Sequence, residues 1–195
     1  MAAQCIIGLD LAGLDKNPSG IAAIKNADVQ AKLVFLDGEI LDFLEKNNPI
    51  IVAIDAPLSE PKKGYSRNTE REMLKQGYKV FPPFFMHMRQ LTLRAIELNK
   101  KIQKTYKTIE VHPTSSRKAL QILPPKEWPT IQQTFIEIGL KGELQTRSFA
   151  SHELDAITAA LTAKLYLEKQ TEQIGDEQEG YIIVPKREHW SQIKI

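Results

Sequence analysis

Two apolar segments of the chain each end in an aspartate. Residues 4–11 (QCIIGLDL) contain Asp10, and residues 50–57 (IIVAIDAP) contain Asp55. Apolar, largely β-branched residues followed by turn-forming residues predict a buried strand in each segment. Because a buried carboxylate is costly unless something pairs with it, each aspartate needs a partner. We therefore expect the two strand-end aspartates to share a divalent metal ion.

Two further carboxylates extend this pattern. Glu110 lies in the alternating segment TIEVH, and Asp155 lies near the start of a strongly apolar stretch. Clustered carboxylates repel one another and are stable together only when they are protonated or bind cations. These segments supply no comparable buried cation, so we expect metal ions. Oxygen ligands favour Mg²⁺ or Mn²⁺, and the chain lacks the Cys/His spacing of a zinc site.

Each acid also has an ordinary structural interpretation. A strand-end aspartate can cap the turn that follows it, and a glutamate on an edge strand can face water. An aspartate near a helix N-terminus can belong to an acidic first turn that the helix dipole favours. The hypothesis of a metal site rests on all four carboxylates taken together.

The elements that would position these residues alternate between strands and helices. Apolar runs and turn signals predict strands over residues 4–11, 21–25, 29–35, 50–54, 107–112 and 181–184. Helical periodicity predicts helices over residues 37–47, 67–76, 86–104, 115–120, 130–138 and 151–168, with a proline-rich joint at 124–129 and an acidic loop at 175–180. This order predicts an α/β fold in which an antiparallel three-stranded meander and parallel strands form a mixed sheet with helices on both faces.

Length and composition are those of a single globular domain spanning residues 1–195. The chain is 42% hydrophobic and 26% charged, which is enough to build a sizeable core. One cysteine, Cys5, cannot form a disulfide within the chain and indicates a reducing compartment. Neither a membrane span nor a secretory leader is recognisable, so we expect a cytoplasmic protein. The sequence leaves open whether the chain forms a homo-oligomer.

Positive charge is concentrated in one part of the chain. Residues 62–107 carry 12 Lys and Arg and 3 Glu, whereas the whole chain has a net charge of only +2. This asymmetry indicates a surface for a polyanion, although two solvated helices with long cationic side chains would give the same composition. Arg67, Arg71 and Arg94 are candidates to hold phosphates bidentately, and surface ion pairs are their ordinary alternative.

Aromatic and histidine side chains near these segments have two interpretations each. Phe81, Phe84 and Phe85 could stack on nucleic-acid bases, but core packing is the favoured interpretation. His112 and His152 could transfer protons near the acids, but a structural role is favoured.

The same segments carry a resemblance that runs in order along nearly the whole chain. The matching blocks are GLDLAG at residues 8–13, NPSG at 17–20, AIDAPLS at 53–59, RE at 71–72, VFPP at 80–83, LT at 91–92 with Arg94, EVHP at 110–113, HELDAITAA at 152–160 and residues 174–185. Together they resemble the predicted RNase H-like nucleases named domain of unknown function 429. The resemblance implies an RNase H-like fold in which acids from the first strand, later strands and the last helix converge. The residues matching those positions are Asp10, Asp55, Glu110 and Asp155.

The implied activity is hydrolysis of phosphodiester bonds in nucleic acid by two Mg²⁺ or Mn²⁺ ions bound to these four carboxylates. Two other functions stay open. A scaffold or nucleic-acid-binding protein could keep the fold without turnover. The first strand also resembles that of actin-like nucleotide-binding proteins, but the chain has no second glycine-rich phosphate loop and is half the expected size.

Overall fold

A computed structural model describes residues 4–124 and 126–195, which form one mixed sheet flanked by helices. The strands within these ranges are β1 (Cys5–Asp10), β2 (Ser19–Lys25), β3 (Asp28–Val34), β4 (Ile51–Asp55), β5 (Lys107–Val111), β6 (Lys141–Gly142), β7 (Thr171–Asp176) and β8 (Gly180–Pro185). The helices are α1 (Asp37–Asn47), α2 (Asn68–Lys75), α3 (Met88–Ile102), α4 (Pro113–Ala119), α5 (Trp128–Ile138) and α6 (Ser151–Leu167).

The strand order across the sheet is β6-β3-β2-β1-β4-β5-β8-β7. β1, β2 and β3 form an antiparallel meander, and β4 and β5 continue from β1 in parallel. β8 is parallel to β5 and pairs with β7 in a hairpin. The predicted α/β arrangement, an antiparallel meander joined to parallel strands in one mixed sheet with helices on both faces, is confirmed.

Helices cover the two faces of the sheet with separate apolar cores. On one face, α1 and α3 pack against the side chains of Ile7 and Leu9 on β1. On the other face, α5 and α6 pack against Ile6 and its neighbours. Because successive side chains of a strand point to opposite faces, β1 contributes to both cores.

Two glycines let α6 lie directly on the sheet. A Cβ atom at Gly8 would stand 2.0 Å from the carbonyl oxygen of Ala156, and one at Gly20 would stand 1.9 Å from that of His152. Both contacts are with helix backbone, which cannot move aside as a flexible side chain can. The first turns of α6, which carry Asp155, are therefore held against β1 and β2.

Several predicted element boundaries differ from those of the structure. The acidic segment at 175–180 was expected to be a loop, but Thr171–Asp176 forms β7 and only the turn to β8 is irregular. Pro113 begins α4 instead of only closing β5, because a proline at the first helical position loses no hydrogen bond. The predicted proline-rich joint includes Pro125, which lies outside the described residues. Across the described ranges, every helix is too short or too polar to cross a membrane.

We predict that Gly8→Ala destabilises the protein by about 3 kcal/mol or more, because the added methyl group overlaps the backbone of α6. Gly38→Ala is the matched control, since a Cβ atom at Gly38 in α1 would meet nothing within 4 Å. Replacing that helical glycine should stabilise the protein by up to about 1 kcal/mol. Urea unfolding of both variants measures the difference, and equal stabilities would contradict the close approach of α6.

Candidate active site

Asp10 and Asp55 lie side by side at the carboxyl ends of β1 and β4. The two strands are parallel, and their register pairs Asp10 with Asp55. Ile6 and Ile51, each four residues earlier, belong to the core beneath α6. Because side chains four residues apart share a face of a strand, both aspartates face this helix.

The surroundings of Asp55 disfavour the ionised form of its carboxyl group. Burial raises the pKa of Asp55 well above its ordinary value, and the nearby Asp10 and Asp155 raise it further. Folding that raises the pKa of an acid makes its ionisation destabilising, so the penalty grows as the pH rises from the ordinary value. A positive charge bound between the aspartates would remove this penalty.

Asp155 reaches the aspartate pair from α6 and is held by an arginine. Its Oδ1 atom lies 2.6 Å from Nη1 of Arg117, and its side chain is 20% exposed. Burial raises the pKa of Asp155, and Arg117 and Asp10 act on it in opposite directions. The structure therefore brings Asp10, Asp55 and Asp155 together, with one of them already paired to a cation.

Arg117 is fully buried between α4 and α6. Its Nη1 atom donates a hydrogen bond to Oγ1 of Thr158 at 2.8 Å, and its guanidinium lies 5.4 Å from the ring centroid of Trp128. The expectation that the acids lack a comparable buried cation is wrong. A buried charge is tolerated only with partners, and Asp155 is such a partner.

Glu110 lies on the opposite face of the sheet from the two aspartates. It pairs in register with Ile54, which belongs to the core beneath α1 and α3. Its Oε2 atom accepts hydrogen bonds from the backbone N–H of Leu58 at 2.8 Å and from Nη1 of Arg67 at 2.9 Å. Its Oε1 atom forms an ion pair with Nη2 of the same arginine. Burial raises the pKa of Glu110, and Arg67 opposes this rise.

Arg67 is a second fully buried arginine and joins several segments. Besides Glu110, it donates to Oε1 of Glu70 from Nε at 2.9 Å and from Nη2 at 2.6 Å. It also donates from Nη1 to Oγ of Ser59 at 2.8 Å. These bonds connect the loop after β4 with α2 and β5. The structure thus places this predicted phosphate ligand in the interior, where its donors already have protein acceptors.

The other two predicted phosphate-binding arginines differ in accessibility. The side chain of Arg94 is 10% exposed and donates to the backbone oxygens of Ala12 and Phe35 at 2.8 and 2.9 Å. It also pairs with Asp37 at 2.8 Å, so it braces the loop after β1. The side chain of Arg71 is 53% exposed and lies 3.9 Å from Glu179. Arg71 therefore remains accessible to a ligand.

The two histidines near the acids have different environments. His152 Nδ1 lies 2.7 Å from Oδ2 of Asp10, and this hydrogen bond raises the pKa of His152 above 6.5. Burial lowers the pKa of His112 to about 4, so His112 is neutral at pH 7. His112 Nδ1 accepts from the backbone N–H of Ser115 and caps α4. His152 is thus the histidine that can carry charge beside the aspartates.

A cleft of about 190 Å³ opens at the carboxyl ends of these strands. Residues that line it include Asp10, Asp55, Arg67, Glu110, His112 and Phe81. Within the described parts of the chain, no three Asp, Glu, His or Cys side chains are arranged to coordinate one metal ion. Instead, Asp10 and Asp55 lie side by side with His152 bonded to Asp10, whereas Asp155 and Glu110 each have a buried arginine as partner.

Comparisons with known proteins give only distant structural similarity. No family model and no curated protein matches the chain. Among solved structures, the chain is similar to Thermus thermophilus RuvC at 15% identity and a TM-score of 0.49, covering 85% of this chain and 96% of that one. It is also similar to T. thermophilus RuvC in complex with a Holliday junction substrate, at 16% identity, a TM-score of 0.43 and the same coverage. The resemblance to the nuclease family noted above stays a prediction.

We predict that Arg67→Gln destabilises the protein by about 3–5 kcal/mol, because it leaves two buried glutamates without their partner. Arg71→Gln is the matched control. It removes an exposed guanidinium from the same region and should change stability by no more than about 0.5 kcal/mol. Denaturant unfolding compares the two, and a similar small effect in both variants would show that Arg67 has no structural role.

We also predict that the raised pKa of His152 falls in Asp10→Asn, because the carboxylate that stabilises the imidazolium is lost. NMR titration of metal-free protein measures this, with Asp42→Asn on α1 as the control that leaves the pKa of His152 unchanged. The contribution of the pair to stability is complete below about pH 6.5 and is lost as the pH rises through the raised pKa. An identical His152 titration in Asp10→Asn and wild type would contradict the contact.

Proposed function

We propose that this protein is a cytoplasmic, metal-dependent phosphodiester hydrolase that acts on nucleic acid. The observation that carries the proposal is the in-register pair Asp10 and Asp55, which faces α6 at the carboxyl ends of two parallel strands. The crowding of negative charge around Asp55 favours a cation there. Carboxylate oxygens suit Mg²⁺ or Mn²⁺.

The residues present fit one cation more readily than the two that the family resemblance implies. Glu110 faces the other side of the sheet and is bound to Arg67, and Asp155 is bound to Arg117. Two cations on all four carboxylates would require these ion pairs to break and would leave buried guanidinium groups without their carboxylate partners. We therefore propose that Asp10 and Asp55 hold a single Mg²⁺ or Mn²⁺ ion.

A bound divalent cation supplies an activated water at neutral pH and polarises the phosphodiester. The remaining work falls to side chains of this protein. Asp10 is oriented by the contact of its Oδ2 atom with His152, and the residue lines the cleft. His152 lies beside Asp10 and would supply a proton to a departing oxygen.

The substrate would be attracted by residues 62–107, here called the basic segment, several of which line the cleft. Arg71 is exposed, as are lysines at positions 62, 63 and 79. Such cations attract a phosphate backbone without reading its sequence, and salt weakens the attraction. Arg67 and Arg94 would act indirectly by holding the loops that shape the cleft, since their donors are engaged inside the protein.

A non-catalytic nucleic-acid-binding protein is the second candidate function. It is favoured by the buried arginines, which already neutralise two of the four acids. Such a protein would bind nucleic acid without a metal ion and without turnover. The presence of the basic segment is common to both functions, so hydrolysis and metal binding discriminate between them.

We predict that Mg²⁺ or Mn²⁺ supports hydrolysis of nucleic acid and that Asp10→Asn and Asp55→Asn each lower the rate at least about 100-fold, because each removes a metal ligand. At a concentration 100 times its Kd, the ion should also stabilise the protein by about 2.7 kcal/mol, or roughly 5–10 °C in melting temperature. Cleavage assays on single-stranded, duplex and branched substrates, with thermal melts, measure both effects.

Asp42→Asn on α1 is the control for these assays and should retain the wild-type rate and thermal shift. If wild-type protein neither cleaves any substrate nor melts at a higher temperature with millimolar metal, the hydrolase proposal fails. Metal-independent binding in the same samples would then support the non-catalytic function.

A further inference from the structure

Four large apolar side chains at residues 65 and 81–86 are exposed to solvent, and one of them, Phe81, lines the cleft. Tyr65, Phe81 and Met86 are 70%, 69% and 69% exposed, and Phe85 is 47% exposed. We call these four residues the apolar rim. Single exposed apolar residues are common, but several on adjoining segments beside a polar cleft indicate a binding surface. The favoured interpretation from sequence, that the phenylalanines at 81 and 85 pack in the core, does not match these exposures.

The backbone that carries the apolar rim is held in place. The backbone N–H of Phe84 donates to the carbonyl oxygen of Tyr65 at 3.1 Å, which joins the two segments of the rim. The buried hydroxyl of Thr92 on α3 donates to the carbonyl oxygen of Pro83 at 2.9 Å. The rim side chains therefore face solvent from an anchored backbone. Because this backbone is already ordered, the entropic cost of binding a ligand is lower.

Phe81 connects the apolar rim to the acids. Its side chain lines the same cleft as Asp10 and Asp55, so a flat group stacked on Phe81 would lie close to the proposed metal ligands. Arg89 lies nearby, with its guanidinium 5.4 Å from the ring centroid of Phe84. The apolar surface thus lies within a basic segment, which suits a partner that is both aromatic and anionic.

From these contacts we infer that the apolar rim binds unpaired nucleobases, so that the substrate is nucleic acid with a single-stranded region at the cleft. This inference deepens the proposed function and rests on it. Aromatic side chains stack on bases of any sequence, whereas a duplex hides the faces of its bases between neighbouring pairs. Exposed lysines and arginines around the rim hold the backbone of the same strand.

The test is equilibrium binding of fluorescent oligonucleotides in EDTA, where hydrolysis does not interfere. Single-stranded DNA and single-stranded RNA are compared with their matched duplexes at one fixed salt concentration. Phe81→Ala should weaken binding of the single strands about 10-fold and leave duplex binding nearly unchanged, since one stacking contact is lost. Tyr65→Ala should behave similarly, and Phe81→Tyr should restore binding.

Leu36→Ala is the matched control, because Leu36 is an apolar residue that is 54% exposed just before α1. It should bind both substrates as wild type does. Equal affinity of wild-type protein for single strands and duplexes, or equal effects of Phe81→Ala and Leu36→Ala, would overturn the inference. A wild-type dimer in sedimentation velocity that Phe81→Ala dissociates would also overturn it, because the rim would then be a contact between two copies.

These outcomes are separable from the test of hydrolysis. If wild-type protein has no preference for single strands but still cleaves nucleic acid in a metal-dependent way, only the role of the apolar rim is rejected. Rim-dependent binding without cleavage or metal stabilisation rejects the hydrolase proposal and supports the non-catalytic function.

Discussion

Repulsion among carboxylates at one edge of a sheet is the constraint on which this structure depends. Two buried arginines reduce this repulsion, since Arg117 pairs with Asp155 and Arg67 pairs with Glu110. Asp10 and Asp55 remain next to each other, and burial with the surrounding acids raises the pKa of Asp55. Each arginine is itself buried and depends on its carboxylate, so the ion pairs are mutual requirements of the fold.

The geometry of the backbone by itself is enough to bring these charged residues together. Parallel pairing of β1 with β4 places their terminal aspartates at one level. Close approach of α6 to Gly8 and Gly20 then brings Asp155 to the same place. A larger residue at either glycine would lift the helix and with it the third acid, so the packing of the sheet and the electrostatics of the cleft are linked.

Much of this arrangement could be predicted from sequence because it follows from strong local patterns. Apolar runs that end in aspartate identified β1 and β4, and the strong apolar helix identified α6. The burial of Arg67 and Arg117 was missed because both lie in or beside short helices with few apolar residues, where an arginine is ordinarily exposed. Their orientation is decided by tertiary partners such as Glu110 and Asp155, which are distant in sequence.

The face of the sheet on which Glu110 lies could not be predicted from the sequence either. Alternation along β5 separates Glu110 from its apolar neighbours, but which face also holds the aspartates depends on how β5 pairs with β4. β7 was missed for a similar reason, since a polar edge strand is recognised only by its pairing with β8. Exposure of Phe81 is likewise a tertiary property, because the run FPPFF predicts apolar contacts without saying with what.

The ion pairs of the fold limit the number of cations that the cleft can hold, and the proposed function depends on that number. The buried guanidinium groups of Arg117 and Arg67 already neutralise Asp155 and Glu110. Asp10 and Asp55 are therefore the place where a cation would bind. Anomalous scattering from crystals soaked in Mn²⁺ tests this most directly. The account predicts one peak between Asp10 and Asp55, with the Arg117–Asp155 and Arg67–Glu110 pairs intact. Two peaks shared by all four carboxylates, or no peak at saturating Mn²⁺, would contradict it.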